Sequence, residues 1–177
     1  DEFLGGQSGT IPNPKWKAEN FDGDDWRLGD TYFTAIGQYG VQVSPIQLAR
    51  AVSAIANGGK LIEPTIKLDD SVTILKNIDN IKKENFDIVQ RGMRDAVLYG
   101  TAKGLNIPGA EIAAKTGTAE LGVSKAKVNS SVIGFFPYQD PKYAFVVLME
   151  QGSGTNMIGG VAVMRQVLDW ISIYRPE

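Results

Sequence analysis

No cysteine and no histidine occurs among the 177 residues. The first absence excludes disulfides and thiol nucleophiles, and the second removes the usual general base and the commonest zinc ligand. Acid–base chemistry therefore falls to lysine, carboxylates, tyrosine or hydroxyl side chains, and neither a metal nor another cofactor is expected. A chain free of cysteine is tolerated in any redox compartment, so this count assigns none. There is no run of about 18 apolar residues to cross a bilayer, and residue 1 does not open a signal-peptide pattern. The lysines and arginines are scattered in pairs such as Lys15 with Lys17, Lys82 with Lys83, and Lys125 with Lys127. With a net charge of −2 they form no basic stripe, and no nucleic acid is expected as a partner.

What is present has globular proportions. Hydrophobic residues at 43% and charged residues at 21% suffice for a core of ordinary size, and the length fits one domain or a large part of one. No internal repeat or low-complexity segment appears.

Residues 1–29 carry turn dipeptides at Pro12-Asn13 and Asp22-Gly23 and read as irregular chain, pinned to the body by the packing of Trp16 and Trp26. Thr31 to Ile36 reads as extended and Gly37 to Gly40 as a turn. Ser44-Pro45 supplies an N-cap and a first-turn proline for a helix to about Asn57, which Gly58-Gly59 terminates. Lys60 to Lys67 reads as extended and Asp69 to Asn85 as a polar connection. Phe86, Val89, Met93 and Val97 recur at helical spacing between about Asn85 and Gly100. Three strands follow, one around Lys115, then Ser130 to Phe136 and Tyr143 to Glu150, and a helix from Ile158 to Tyr174 closes the chain. The short connections favour an antiparallel meander, and the last strand, apolar on both faces, is expected in the sheet interior. The fold class is α+β, an antiparallel sheet flanked by helices.

The most informative stretch is Ile112 to Glu120, which sets a lysine, two hydroxyls and a glycine in succession, Lys115-Thr116-Gly117-Thr118, between small side chains. Such a strand at a sheet edge can add an extended peptide along its unpaired backbone, with Gly117 permitting close approach. Alternation puts Thr116 and Thr118 on one face and Lys115 with Gly117 on the other, so both faces reach the site only along the rim. Alone, these four residues would equally make a turn between strands. Glu120, just beyond, reads as a solvated strand end.

Several further segments accompany that stretch in a fixed order: Gly9 to Lys17 (GTIPNPKWK), Gly29-Asp30-Thr31, Ile36-Gly37-Gln38, Val43 to Ala49 (VSPIQLA), Ala56 to Gly59, Gly100-Thr101-Ala102, and Ile133 to Pro137. In this order the chain resembles the transpeptidase domain of class B, monofunctional penicillin-binding proteins. That family's chemistry uses an S-x-x-K nucleophile and base, an S-x-N proton relay and a K-T-G strand. Only the third stands here in the family's position. Ser124-Lys125-Ala126-Lys127 spells S-x-x-K but follows the Lys115 strand, whereas the family's nucleophile precedes it, and no S-x-N occurs.

The resemblance implies that residues 1–177 are the C-terminal portion of one transpeptidase domain, its nucleophile on an N-terminal portion outside this sequence. It implies a peptidoglycan D,D-transpeptidase working through an acyl-serine, acylated by β-lactam antibiotics, with stem peptides as substrates. Lys115 would stabilise negative charge and assist proton transfer, and Thr116 and Thr118 would hold the ligand's carboxylate. Gly117 would lie along the substrate, and the Thr118 N–H would form half of an oxyanion hole. The remaining implications are a partner glycosyltransferase of elongation or division and a location on the extracytoplasmic face of the bacterial cytoplasmic membrane. A non-catalytic β-lactam sensor or scaffold of the same fold is the alternative, and a serine β-lactamase a third.

Overall fold

The computed structural model describes residues 8–68, 71–121, 126–155 and 159–175. Contacts divide the chain into two units, residues 1–44 and 45–177.

In the first unit, α1 (Pro14–Asn20) begins where the Asn13 side chain accepts from the Trp16 N–H at 3.0 Å, with Pro14 in the first turn. α2 (Leu28–Ala35) begins where Asp30 accepts from the Arg27 N–H at 2.7 Å. Both overturn the expectation of irregular chain over residues 1–29 and extended chain from Thr31 to Ile36. Asn13-Pro14 is the same N-cap and first-turn proline signal that marks the helix at Ser44-Pro45. At α2, a carboxylate in the first turn outweighs the strand preference of a Thr-Tyr-Phe-Thr run. Trp16 packs edge-on against Phe21 and Tyr39, and Trp26 against Tyr39. A side chain on Gly40 would collide with the Trp16 ring.

Lys17 of α1 is only 3% exposed. Its ammonium donates to the Asp25 carbonyl at 2.6 Å and to Asp30 Oδ2 at 2.7 Å, and lies 3.1 Å from Asp24 Oδ2. Arg27 holds Asp24 from its other side at 2.6 Å. A buried cation is costly unless paired and hydrogen-bonded, and here every short contact is to oxygen. Asp30 thus ties the start of α2 to the middle of α1.

The second unit holds the α+β frame. α3 (Pro45–Ala56) begins at the expected proline. It ends at Gly58 and Gly59, both at positive φ, where the Phe86 ring closes over Gly59. The Asn57 side chain brackets Lys60, accepting from its N–H and donating to its carbonyl, and so launches β1 (Lys60–Ile62). β1 pairs antiparallel with β2 (Ile74–Asn77), a strand inside the stretch expected as a connection. Its residues are exposed, so pairing with β1 rather than burial selects the strand. α4 (Lys83–Leu98) buries Phe86, Met93 and Val97 as the spacing predicts, whereas Val89, expected on the same face, is exposed, and Gln90 donates to the Ile55 and Ala56 carbonyls at the end of α3.

β3 (Ala113–Leu121), β4 (Lys127–Phe136) and β5 (Tyr143–Ser153) form the expected antiparallel meander, ordered β3-β4-β5. β4 is therefore the central strand. β5, expected in the interior, pairs only with β4 among the described residues, although α3 packs on it and α5 (Gly160–Tyr174) packs on it too. Two apolar faces report cover above and below a strand and not a neighbour on each side.

The sheet separates two apolar clusters. On one face Ala114, Val132 and Phe136 pack with Val97, Ala102, Leu105, Met164 and Leu168. On the other, Ala113 and Phe135 pack with Val52 and Met93. Glycines let the start of α5 press onto β4: a side chain on Gly160 would meet the Val132 backbone nitrogen at 3.1 Å, and the Gly160 N–H donates to Ser130 Oγ at 3.1 Å.

The Lys17 cluster generates a pH prediction. Hydrogen bonding to Lys17 holds Asp24 and Asp30 below the ordinary carboxylate value of 3.8, with the Arg27 N–H adding to the effect at Asp30. Hydrogen bonding to Asp30 raises Lys17 above 10.5 against its burial. The carboxylates' contribution is present above their ordinary value and lost as pH falls through the depressed one. The lysine's is present below 10.5 and lost as pH rises past the raised one. The fluorescence of Trp16 and Trp26 should hold constant between these limits and change at the acid end. Lys17→Met should move the acid transition to higher pH, because Asp30 would keep its burial without its cation. An unmoved transition would contradict this role for the cluster.

Candidate active site on the sheet edge

β3 enters the site from full burial. Ile112, Ala113 and Ala114 are all 0% exposed, and Arg94 of α4 donates to the Ile112 carbonyl at 2.8 Å. From Lys115 onward the strand emerges, with Lys115 and Thr118 exposed and Thr116 and Gly117 half-buried. Its one strand partner among the described residues is β4, so Lys115 to Thr118 lie on a sheet edge as the sequence predicts.

The register fixes which groups share a face. Thr116 opposes Val132 and Thr118 opposes Ser130, on the side covered by α5. Lys115 opposes Ile133 and Gly117 opposes Ser131, on the side of Phe135 and Val52. The hydroxyls and the ammonium thus leave the strand in opposite directions. The Lys115 ammonium turns back along the rim to donate to the Thr116 carbonyl. This brings the cation beside the backbone between the two threonines, so that the four predicted residues form one continuous ledge. A ledge with a cation, two hydroxyls and unpaired strand backbone can accept an extended, carboxylate-bearing ligand.

Two supporting contacts escape sequence reasoning. Thr101, just after α4, places its Oγ1 2.6 Å from Thr116 Oγ1. Ser131 lies across from Gly117, where an added side chain would run into its Oγ. Gly100-Thr101-Ala102 is visible as a segment of the resemblance, but its approach to β3 is tertiary. Glu120 is exposed near the strand end. Ser124 and Lys125 of the displaced S-x-x-K lie outside the described residues. Among the described residues no group of three or more acidic side chains is arranged to hold a metal ion.

The chain belongs to the penicillin-binding protein transpeptidase domain family, whose profile matches residues 2–169. Peptidoglycan D,D-transpeptidase MrdA of Acinetobacter baumannii is 29% identical over 166 residues, 81% of this chain and 25% of that protein. The structure of penicillin-binding protein PBP2 from Helicobacter pylori, 28% identical, matches with a TM-score of 0.79 over 97% of this chain and 32% of that one. Penicillin-binding protein A of Mycobacterium tuberculosis, solved as an imipenem acyl-enzyme complex, is 27% identical and matches with a TM-score of 0.67 over 92% of this chain and 36% of that one. The sequence therefore spans about a quarter to a third of these relatives.

The Gly117 and Ser131 pairing gives a testable coupling. Gly117→Ala should destabilise the protein by about 1–2 kcal/mol through overpacking. In a Ser131→Ala background the same change should be close to neutral, a coupling of roughly 1 kcal/mol or more in a denaturation double-mutant cycle. Additive effects would show that Ser131 does not set the space at Gly117.

Proposed function

We propose that this chain is the C-terminal portion of a peptidoglycan D,D-transpeptidase domain and contributes its K-T-G ledge, while the nucleophilic serine lies on sequence outside residues 1–177. The observation that carries this is the exposed edge from Lys115 to Thr118, hydroxyls to one face and ammonium returned to the rim, in a member of this family. The serine oxygen attacks the carbonyl carbon of a donor stem peptide, and the scissile amide leaves as an amine that takes up a proton. The amine of an acceptor stem peptide then attacks the acyl-serine ester, forming the cross-link and returning the serine. Splitting one displacement into two lowers each barrier.

In both steps negative charge develops on the carbonyl oxygen. The Thr118 N–H meets it as one of two donors, and removal of such a donor costs about 3–4 kcal/mol of transition-state stabilisation in known cases. Lys115 favours the same charge and the proton movements that accompany it. The Thr116 and Thr118 hydroxyls hold the carboxylate of the peptide or of a β-lactam, whose ring amide opens on the serine to give the same kind of ester. Gly117 lets the ligand backbone lie against the strand. The imipenem acyl-enzyme of the mycobacterial relative supports a β-lactam ester here, and the D,D-transpeptidase assignment of the Acinetobacter relative supports the peptidoglycan substrate.

Peptidoglycan as substrate puts the domain on the extracytoplasmic face of the cytoplasmic membrane, working beside a glycosyltransferase. No helix among the described residues is long and apolar enough to cross that membrane.

The test uses the full-length protein with a fluorescent penicillin. Lys115→Ala should lower the second-order acylation rate by orders of magnitude with little change in Tm, because an exposed lysine contributes charge and not packing. Thr116→Val should cost about 1.5–3 kcal/mol, the value of a hydrogen bond to a charged group. The 177-residue chain alone should take up no label. Parent-rate acylation by Lys115→Ala would overturn the site. Acylation of the full-length protein with no cross-linking of stem peptides would favour a sensor.

A further inference from the structure

Thr101 has no role in the chemistry described so far, yet the structure holds it tightly. α4 ends in a turn in which the Gly100 and Ala102 N–H groups both donate to the Ala96 carbonyl, at 3.1 and 3.0 Å. A side chain on Gly100 would meet the Ala96 Cα at 2.9 Å, so glycine is required where the chain folds back. Ala102 is fully buried in the cluster that also contains Ala114, and its carbonyl accepts from the Leu105 N–H at 2.9 Å. Thr101 is thus fixed from both sides, with its hydroxyl 2.6 Å from that of Thr116.

Each hydroxyl carries one hydrogen and can also accept. If Thr116 donates to Thr101, it has no hydrogen left for a ligand. If Thr101 donates, the Thr116 hydrogen is available and its bond is strengthened by the one it accepts. An ionised carboxylate offers acceptors only, so its arrival selects the second arrangement.

We propose that Thr101 is a positioning residue for carboxylate recognition, donating to Thr116 Oγ1 so that the Thr116 hydroxyl presents its hydrogen to the ligand. This rests on the carboxylate role proposed for Thr116. Thr101 acts through Thr116, and its effect depends on the ligand's negative charge.

The test measures acylation of the full-length protein by benzylpenicillin and by its methyl ester, in which the carboxylate is blocked, and takes the ratio of the two second-order rates. Thr101→Val should lower the acid-to-ester ratio about five- to tenfold, in keeping with one hydrogen bond. Thr101→Ser should retain the parental ratio, and in a Thr116→Val background Thr101→Val should lower it no further. Thr101→Ala serves the same comparison should the valine variant fail to fold. Equal loss on acid and ester would mark a structural role and overturn the proposal, as would an unchanged ratio or an additional loss in the Thr116→Val background. A ratio lowered by Thr116→Val but not by Thr101→Val defeats this proposal alone. A ratio insensitive to Thr116→Val defeats the carboxylate role of Thr116 as well.

Discussion

Everything at the site depends on how β3 is gripped at its root. Ile112, Ala113 and Ala114 have no exposed surface, and the two alanines feed opposite clusters, Ala114 with Val97 and Leu105, and Ala113 with Met93 and Phe135. Close packing on both faces leaves little freedom of translation or twist, and large side chains at these positions would separate the sheet from α4. Arg94 adds a hydrogen bond to the backbone one residue upstream. The next four residues emerge from that clamp with their direction and register already set. An edge strand is ordinarily a mobile and adhesive element. Here its floppiness is removed while its open edge is kept, which is what a template for an extended ligand requires.

The same clamp explains the division of labour across the strand. Antiparallel register with β4 places Thr116 and Thr118 over Val132 and Ser130, where α5 approaches through Gly160, and places Gly117 over Ser131. The small residues at these positions are thus matched pairs. Where α5 must come close, glycine is used. At Gly117 the missing side chain leaves room that Ser131 partly fills. In the proposed function, the positive group beside the strand and the hydroxyls beneath it would meet different parts of one acyl donor, the reacting carbonyl and the terminal carboxylate.

The sequence made the second unit largely legible because its elements carry strong local signals. Ser44-Pro45 and Gly58-Gly59 bracket α3, the spacing of Phe86, Met93 and Val97 defines α4, and the apolar runs with short connections give the β3 to β5 meander. The failures share a cause as well. α1 and α2 are helices of 7 and 8 residues, too short for periodicity to speak, and their caps at Asn13 and Asp30 were the available signal. β2 is defined by its partner, and the hydrophobicity of β5's faces does not tell that among the described residues it pairs with β4 alone. At the site, Lys115 to Thr118 could be picked out by chemistry and spacing. The contact of Thr101 with Thr116 and the fit of Ser131 to Gly117 join residues 15 and 14 positions apart in sequence and exist only once the strands are paired.

The central claim is that a ligand's carboxylate and its reacting carbonyl are both read by this edge of β3. The most direct measurement is a crystal structure of the full-length protein acylated by a carboxylate-bearing penicillin. The carboxylate should lie about 2.6–3.2 Å from the Thr116 and Thr118 hydroxyls, with the ester carbonyl oxygen at similar distance from the Thr118 backbone nitrogen. An acyl group whose carboxylate is held elsewhere, with the Lys115 to Thr118 edge bare, would contradict it.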